Sequence, residues 1–271
     1  MVTPPVVGQW FARWPVICSL KYVLRAYGDG NLFGEPCGEG PVQVIFLHGW
    51  ARRGQDFAAC GRELADRGIA SVALDLPGFG SSPLPKVAGG ARSYAQQLAP
   101  ALRAMGSAPF VLVGHSFGGT VATVIAANDP ELVRAVVLTG APLLRSSPTR
   151  TSPLRYRVTR YLHARGVVSD QKMEAARQRY GSADYRAASG LLREILVASV
   201  NESYEAELAR VRAPVAMLWG ELDREVPASI ASRAGALLNV THSFRSVPGV
   251  GHLLPTEAPG ELVTSVIEVL S

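Results

Sequence analysis

A serine flanked by glycines at fixed offsets is the residue whose setting most clearly suggests chemistry. It lies in the segment GHSFGG, residues 114–119. The apolar run from Pro109 to Val113 predicts a buried strand before it, and the run from Thr120 to Ala127 predicts a buried helix after it. A strand, a tight G-x-S-x-G turn and a helix form a nucleophile elbow, which presents the hydroxyl near the free N–H groups of the helix start. We therefore predict that Ser116 is a nucleophile. The alternative is a glycine-rich turn with an idle serine.

A serine nucleophile needs a base, and the chain offers five histidines. His115 lies in the elbow itself and cannot easily turn back onto the serine. His48 belongs to a strand-end turn, His163 to a helical region, and His242 to the start of a strand. His252 follows the last predicted strand in the segment GVGHLLP, residues 249–255. Loops at strand ends carry many catalytic groups, so His252 is the predicted base, against the alternative of a loop-capping histidine.

The base in turn needs an orienting carboxylate. Three carboxylates follow the predicted strand that ends at Trp219, in the segment GELDREVP, residues 220–227. Asp223 is far enough past the strand end to reach the His252 loop, whereas Glu221 and Glu225 are expected on solvated faces. The other usual place for the acid, after the strand that ends at Leu138, has no carboxylate. We therefore predict Asp223 as the acid.

An oxyanion formed at the serine needs two N–H donors already in place. One is expected from Phe117, the residue after the nucleophile. The other is expected from Trp50, which follows His48-Gly49 at the end of a predicted strand. Because the backbone donates, the side chains of Trp50 and Phe117 remain free to shape the pocket for the acyl group.

Strand-like and helix-like segments alternate along the chain. This alternation predicts an α/β fold: a mostly parallel, doubly wound sheet with helices on both faces. Short turns are expected at residues 28–30 and 34–36. Predicted strands cover one or two segments within 16–27 and residues 42–47, 69–74, 109–113, 133–138, 214–219 and 243–247; predicted helices cover residues 55–67, 93–105, 120–127 and 258–270.

The segment from Leu143 to Leu208 departs from this alternation. It is helical in pattern and rich in Arg, Tyr and Ala. Residues 142–210 hold 12 of the 27 Lys and Arg but only 7 of the 22 Asp and Glu, so the net charge of +5 falls entirely here. We predict a core domain of residues 1–142 and 209–271 with an inserted helical lid of residues 143–208. Arg155, Arg157 and Arg160 would then lie near the entrance and attract anionic substrates, unless they form ordinary solvated surface.

Composition excludes several other classes. With 271 residues and 48% hydrophobic content, the chain can form one large core. No apolar run is long enough to span a membrane, and no secretory signal is visible. The three cysteines form no disulfide or zinc pattern. We therefore expect a cytoplasmic protein. Neither a nucleotide cofactor, a metal nor a nucleic-acid partner is expected, because no suitable motif occurs. Trp10, Phe11 and Trp14 suggest an arm packed on the body or, alternatively, an interfacial anchor or part of the acyl pocket.

Taken together, these segments resemble the α/β-hydrolase fold family, in its branch with a short His-Gly-x oxyanion loop. The matching marks run in order from about residue 42 to 255: HGW at 48–50, DLPGFGSS at 75–82, GHSFGG at 114–119, GELD at 220–223 and GH at 251–252. The resemblance implies acyl chemistry by Ser116, Asp223 and His252 without a cofactor, on a small-molecule substrate. The resemblance does not extend to the segment 143–208.

The resemblance and the nucleophile together narrow the reaction. Dehalogenases and epoxide hydrolases of the family carry aspartate at the elbow, so Ser116 argues against both. Carbon–carbon bond hydrolases tend to have Asn before the serine and Trp after the base, where this chain has His115 and Leu253. Hydrolysis of a carboxylic ester is therefore the leading expectation. A carbon–carbon bond hydrolase, a thioesterase, a perhydrolase and a non-catalytic binding protein of the same fold remain alternatives.

Overall fold

A computed structural model describes residues 23–145 and 153–271 of the chain. Its centre is an eight-stranded sheet with the strand order β1-β2-β4-β3-β5-β6-β7-β8. The predicted aromatic arm at Trp10, Phe11 and Trp14 lies outside the described residues. The strands are β1 (Arg25–Tyr27), β2 (Leu32–Cys37), β3 (Val44–Leu47), β4 (Ser71–Asp75), β5 (Phe110–His115), β6 (Val133–Thr139), β7 (Val215–Gly220) and β8 (His242–Val247).

Strands β3 to β8 pair in parallel, and only the β1–β2 and β2–β4 pairs are antiparallel. The predicted, mostly parallel α/β sheet is thus confirmed. Strands β3, β4, β5 and β7 are buried along their whole length. Their sequences are correspondingly apolar runs without polar alternation, as parallel strands covered on both faces require.

The helices cover both faces of the sheet. Leu47 and Ile45 on β3 point to one apolar layer, formed largely with α2 and α3, whereas Val44 and Phe46 point to a second layer, formed with α1 and α11. The helices are α1 (Ala58–Ala65), α2 (Ala91–Ala104), α3 (Phe117–Asn128), α4 (Leu154–Ala164), α5 (Asp170–Tyr180), α6 (Ala183–Ala187), α7 (Gly190–Asn201), α8 (Glu205–Leu208), α9 (Ser229–Gly235), α10 (Leu254–Glu257) and α11 (Pro259–Leu270).

One local prediction is wrong. Residues 34–36, expected to form a turn, lie inside β2. A side chain at Gly34 would place its Cβ 2.9 Å from the Leu74 side chain and 3.0 Å from that of Val72. The glycine is therefore needed for close packing of β2 on β4, and its presence does not mark a turn.

Helices α4 to α8 fall between β6 and β7, where the sequence predicts the insertion. The amide of Tyr204 donates to the carbonyl of Leu143 at 3.1 Å, which ties the two ends of the insertion together. α8 packs against the core helix α3. Within the described part of the chain, no helix combines the length and the apolar character needed to cross a bilayer.

Candidate active site

The turn between β5 and α3 has the strained backbone of an elbow. Ser116 has φ 49° and ψ −117°, a conformation that few non-glycine residues adopt. The surrounding glycines make it possible. A Cβ at Gly118 would lie 2.1 Å from the Leu47 carbonyl oxygen, and one at Gly114 would lie 2.5 Å from the Cα of Gly119. Since both obstacles are backbone atoms that cannot move aside, only glycine fits at these two positions.

The elbow is fixed to the neighbouring strand by its backbone. The Ser116 amide donates to the Thr139 carbonyl at the end of β6 at 2.8 Å. Phe117 is the first residue of α3, so its N–H has no acceptor within the helix and points to the N-terminal side. The serine therefore sits where a helix start presents free donors and partial positive charge.

His252 and Asp223 meet beside this turn. The carboxylate oxygen Oδ2 of Asp223 is 2.8 Å from Nδ1 of His252. The other oxygen, Oδ1, accepts the amides of Glu225 and Val226 at 2.9 Å each. The side chain of Asp223 is 1% exposed and that of His252 is 10% exposed. Because a carboxylate accepts, Nδ1 of His252 must carry the proton, and Nε2 remains the basic nitrogen.

The charges of the pair shift both pKa values. Burial alone would lower the pKa of His252, but the hydrogen bond and the charge of Asp223 outweigh it, with smaller contributions from Glu225 and Glu257. The net pKa of His252 lies above its ordinary value. Burial tends to raise the pKa of Asp223, whereas its hydrogen bonds to His252 and Val226 lower it below the ordinary range. The pair is thus built to hold a protonated imidazole next to a carboxylate.

The end of β6 lies against both the serine turn and the histidine. A Cβ at Gly140 would lie 2.9 Å from Cε1 of His252. Thr139, the preceding residue, holds the Ser116 amide. Because Gly140 has no side chain, the imidazole of His252 fills the space beside it. Ser116 and His252 therefore both lie against the end of β6, at Thr139 and Gly140 respectively.

Two other histidines near the site have structural roles. Nδ1 of His48 is 2.7 Å from the Gly49 carbonyl, and the Leu76 amide donates to Nε2 at 2.9 Å. His48 is therefore neutral, and burial lowers its pKa. Nδ1 of His115 is 2.8 Å from the Thr139 hydroxyl, and burial together with the nearby His252 lowers the His115 pKa to about 3.

The remaining histidines lie away from the elbow. His163 contacts the carboxylate of Asp170 at 2.7 Å on the surface of the insertion. Nδ1 of His242, at the start of β8, is 3.0 Å from the Val240 carbonyl. Of the five histidines, His252 is the one that the structure pairs with the predicted acid, Asp223.

The other two candidate carboxylates take different positions. Glu221 accepts the Gly249 amide at 3.1 Å and so stabilises the loop that carries His252. The side chain of Glu225 is 72% exposed, in agreement with the expected solvated face, but its Oε2 lies 3.5 Å from Nε2 of His252. Glu225 therefore faces the ring nitrogen opposite to the one that Asp223 holds.

The segment that carries Trp50 lies against the elbow. A Cβ at Gly49 would lie 3.3 Å from the Ser116 Cβ. The indole of Trp50 packs edge-on against the rings of Phe79 and Phe117, with centroid distances of 5.0 and 5.9 Å. The rings of Trp50 and Phe117 thus lie together beside the serine and form an apolar wall, and their role as oxyanion donors stays a prediction.

A cavity of about 650 Å³ opens over Ser116. Its apolar walls come from the elbow and from α7, and its charged groups are three carboxylates and one guanidinium. Arg155, Arg157 and Arg160, expected near the entrance, are exposed on α4 and do not line this cavity. The described lining residues are Trp50, Ser116, Phe117, Thr120, Pro142, Leu144, Arg145, Asp184, Leu196, Ser199, Val200, Glu202, Tyr204, Glu225 and Val226.

Sequence reasoning missed most of this wall. Glu225 carried a usable signal, because it lies two residues after the predicted acid in the same strand-end loop. Arg145, Asp184 and Glu202 carried none, because they belong to an insertion whose folding against the core no local pattern reveals. Among the described residues, no group of three or more His, Cys, Asp or Glu side chains is arranged to hold a metal ion.

Comparison with known proteins identifies one family whose sequence model matches most of the chain. A sequence model described as "Alpha/beta hydrolase family" matches residues 44–265. The chain is 40% identical over 109 residues to the pimeloyl-[acyl-carrier protein] methyl ester esterase of Chromobacterium violaceum, covering 40% of each protein. It is 35% identical over 100 residues to the 2-(acetamidomethylene)succinate hydrolase of Mesorhizobium japonicum, covering 37% of this chain and 35% of that protein. The matches thus span less than half the length of both curated relatives.

A solved structure extends the likeness over the whole fold. The thermophilic esterase of Thermogutta terrifontis superimposes with a TM-score of 0.65, covering 88% of this chain and 92% of the esterase, at 21% identity. At that identity, the superposition shows a shared fold and carries no information on substrate.

Proposed function

The chain belongs to the alpha/beta hydrolase family, and we propose that it is a serine hydrolase that cleaves a carboxylic ester through an acyl-enzyme intermediate. Ser116 is the nucleophile, His252 the base and Asp223 the acid. The observation that carries the proposal is the 2.8 Å contact between Asp223 and Nδ1 of His252, beside a serine held at φ 49°. An inert serine would not need this strained conformation.

The first half of the reaction forms the acyl-enzyme. Nε2 of His252 takes the proton of the Ser116 hydroxyl as its oxygen attacks the ester carbonyl carbon. The N–H groups of Trp50 and Phe117 stabilise the oxyanion of the tetrahedral intermediate. The intermediate collapses when the C–O bond to the alcohol breaks and the protonated Nε2 donates its proton to the leaving oxygen. Asp223 stabilises the imidazolium between the two proton transfers.

The second half releases the acid. A water molecule gives a proton to Nε2 of His252 while its oxygen attacks the acyl carbon, and the bond to the Ser116 oxygen then breaks with return of the proton. The products are a carboxylic acid and an alcohol. His115 does not compete as a base, because its pKa of about 3 leaves it a very weak one.

The surroundings support a small-molecule ester as substrate. The cavity of about 650 Å³ has the size of a small-molecule site and combines apolar walls with a few polar groups. Residues 143–208 form the lid in this proposal, because α6 and α7 contribute Asp184 and Leu196 to the cavity. One matched relative is named a methyl ester esterase, which favours ester cleavage among the reactions of the family. The cytoplasmic location stays a prediction.

The test combines turnover with covalent labelling. The purified protein is assayed with a panel of p-nitrophenyl esters and one dienone substrate of carbon–carbon bond hydrolases, and is treated with a fluorophosphonate probe. Ser116→Ala should lower ester turnover on the order of 10⁶-fold and abolish labelling. Ser232→Ala, an exposed serine in α9, is the matched control and should retain both.

Three results would contradict the proposal. Equal labelling of the Ser116→Ala variant and the wild type would remove Ser116 as the nucleophile. Turnover of the dienone without turnover of any ester would reassign the reaction to carbon–carbon bond cleavage. Absence of turnover and of labelling in the folded wild type would identify a non-catalytic binding protein.

A further inference from the structure

The carboxylate of Glu225 occupies a defined place in the site, although it is solvent-exposed. Its Oε2 lies 3.5 Å from Nε2 of His252. Its backbone amide donates to Oδ1 of Asp223 at 2.9 Å, so the carboxylate that orients the histidine also anchors the residue that faces it. Glu225 also lines the cavity that contains Ser116.

Glu225 cannot serve as the acid that orients the ring. Nδ1 of His252 is already bound by Asp223 at 2.8 Å, and Glu225 faces the opposite nitrogen. Nε2 is the atom that exchanges a proton with the serine and with the substrate. A carboxylate at Nε2 therefore acts on the reacting groups directly.

The position of Nε2 defines where the leaving group must be. In the proposed mechanism, Nε2 of His252 protonates the departing alcohol oxygen, which must come within about 2.6–3.2 Å of it. A carboxylate oxygen 3.5 Å from the same nitrogen is thus a neighbour of the alcohol part of the ester. In the same mechanism the carbonyl oxygen of the ester faces the N–H groups of Trp50 and Phe117.

We propose that Glu225 determines specificity for the leaving group, favouring esters whose alcohol carries a positive charge and disfavouring those whose alcohol is anionic. This inference rests on the proposed function. An ammonium on the alcohol gains the attraction of the carboxylate while the ester lies next to Ser116, and a carboxylate on the alcohol is repelled.

Besides Glu225, the described cavity wall carries two carboxylates and one guanidinium, so its formal charge is negative. Glu202 lies 4.0 Å from Arg92 and accepts the Tyr204 hydroxyl at 2.8 Å. The guanidinium of Arg145 is held 3.3 Å from the amide oxygen of Asn201 on the insertion. Asp184, from α6, adds a second carboxylate on the lid side.

The size of the effect on kcat/KM follows from treating the Glu225 carboxylate and the charge on the alcohol as an exposed ion pair. Two unit charges about 4 Å apart in a water-like dielectric interact strongly enough to change an equilibrium about fivefold. Removing the Glu225 charge should therefore lower kcat/KM about fivefold for a cationic ester and raise it about fivefold for an anionic one. The ratio between the two esters then changes about 25-fold.

Three acetate esters that differ chiefly in the charge of the alcohol provide the test. Acetylcholine is cationic, 3,3-dimethylbutyl acetate is its neutral analogue of the same shape, and 4-acetoxybutanoate is anionic. Their kcat/KM values are compared for the wild type, Glu225→Gln and Glu268→Gln. Glu268 is an exposed carboxylate on α11 and supplies the same change in net charge away from the cavity. We expect the ratio of cationic to anionic ester to fall about 25-fold in Glu225→Gln and to stay unchanged in Glu268→Gln.

A second readout needs no variant. For the wild type, kcat/KM for acetylcholine should fall between ~10 mM and ~500 mM salt, because the Debye length shrinks from about 30 Å to a few ångströms, while the neutral ester stays flat. If instead the exposed arginines of α4 steer substrates, the anionic ester is the one that falls with salt. That outcome in the wild type would overturn the inference.

The inference and the proposed function fail in different ways. If the wild type hydrolyses the neutral ester and is labelled at Ser116, but Glu225→Gln changes the charge ratio less than twofold, only the role of Glu225 is refuted. If the wild type neither hydrolyses the neutral ester nor is labelled, the proposed function fails and the inference fails with it.

Discussion

Replacing Asp223 by Asn tests the candidate site most sharply, because the hydrogen bonds of Asp223 determine how the new amide must sit. Oδ1 accepts two backbone amides, from Glu225 and Val226, at 2.9 Å each. If the amide group of asparagine turned toward these two donors, both hydrogen bonds would be lost. The amide oxygen therefore keeps this position, and the NH₂ group faces His252.

This orientation reverses the tautomer of the histidine. In the wild type, Nδ1 of His252 donates to Asp223 and Nε2 is the acceptor. In Asp223→Asn, the NH₂ group donates to Nδ1, so the proton of the neutral ring moves to Nε2, the nitrogen that must take the proton of Ser116. The negative charge that stabilises the imidazolium is lost as well.

The expected loss is about 10⁴-fold in kcat, the cost of the wrong tautomer in a serine triad. At 1.36 kcal/mol for each factor of ten, this corresponds to about 5.5 kcal/mol of transition-state stabilisation. The assay is steady-state hydrolysis of neutral p-nitrophenyl acetate by the wild type and Asp223→Asn, with circular dichroism and thermal unfolding to establish that both fold. Fluorophosphonate labelling should slow in parallel, because it requires the same activation of Ser116.

Glu221→Gln is the matched control. Glu221 lies in the same loop and its carboxylate holds the Gly249 amide at 3.1 Å, a bond that a glutamine oxygen can keep. We expect its turnover within about threefold of the wild type, since it has no contact with the imidazole. A folded Asp223→Asn with activity within tenfold of the wild type would refute the reasoning, and so would a crippling effect of Glu221→Gln alone.

Two further predictions follow from the described contacts. Asp223, assisted by Glu225, keeps the pKa of His252 above its ordinary value, and the base must be neutral to act. We therefore expect kcat/KM for the neutral ester to rise with pH through a midpoint above about 6.5, and Glu225→Gln to move that midpoint to lower pH. A midpoint that does not move, or that moves upward, would contradict the contact between Glu225 and His252. Gly118→Ala should lower the free energy of unfolding by about 3 kcal/mol or more, measured with denaturant, because its Cβ would lie 2.1 Å from the Leu47 carbonyl oxygen. Gly260→Ala is the control: its Cβ would have 3.8 Å of clearance, so the variant should unfold at the same denaturant concentration as the wild type or at a higher one. Equal stability of the two alanine variants would contradict this prediction, because the turn backbone would then have moved to accommodate the Cβ at residue 118.

The groups that face His252 determine how the pH profile is interpreted. Besides Asp223 and Glu225, they are His115, whose ring centroid lies 4.8 Å from that of His252, and Glu257, which accepts the Gly251 amide at 2.6 Å. His115 stays neutral across the working range, because its pKa is about 3. Within the described part of the site, the carboxylates are therefore the groups whose removal moves the midpoint.

The sequence by itself determined the architecture, because parallel strands and their ends leave local marks. Strands such as Val44–Leu47 and Val215–Gly220 are buried on both faces, so they stand out as unbroken apolar runs. The carboxyl ends of parallel strands meet at one edge of the sheet. Asp223 and His252, 29 positions apart in loops after successive strands, could therefore be assigned to one place from their order alone. The family and the sheet are confirmed, whereas the catalytic roles stay predictions.

Only the tertiary structure decided which side chains share the cavity. Glu225 has the exposure expected of a surface glutamate, and only the turn after β7 directs its carboxylate to Nε2 of His252. The arginines of α4 were expected near the entrance from their position in the chain; they are exposed and do not line the cavity, whereas Asp184 and Glu202 do. Residues 34–36 have the composition of a turn, yet pairing with β4 makes them a strand. In each case the position of the residue depends on contacts between segments far apart in the chain. A local sequence pattern does not determine the free energy of such contacts.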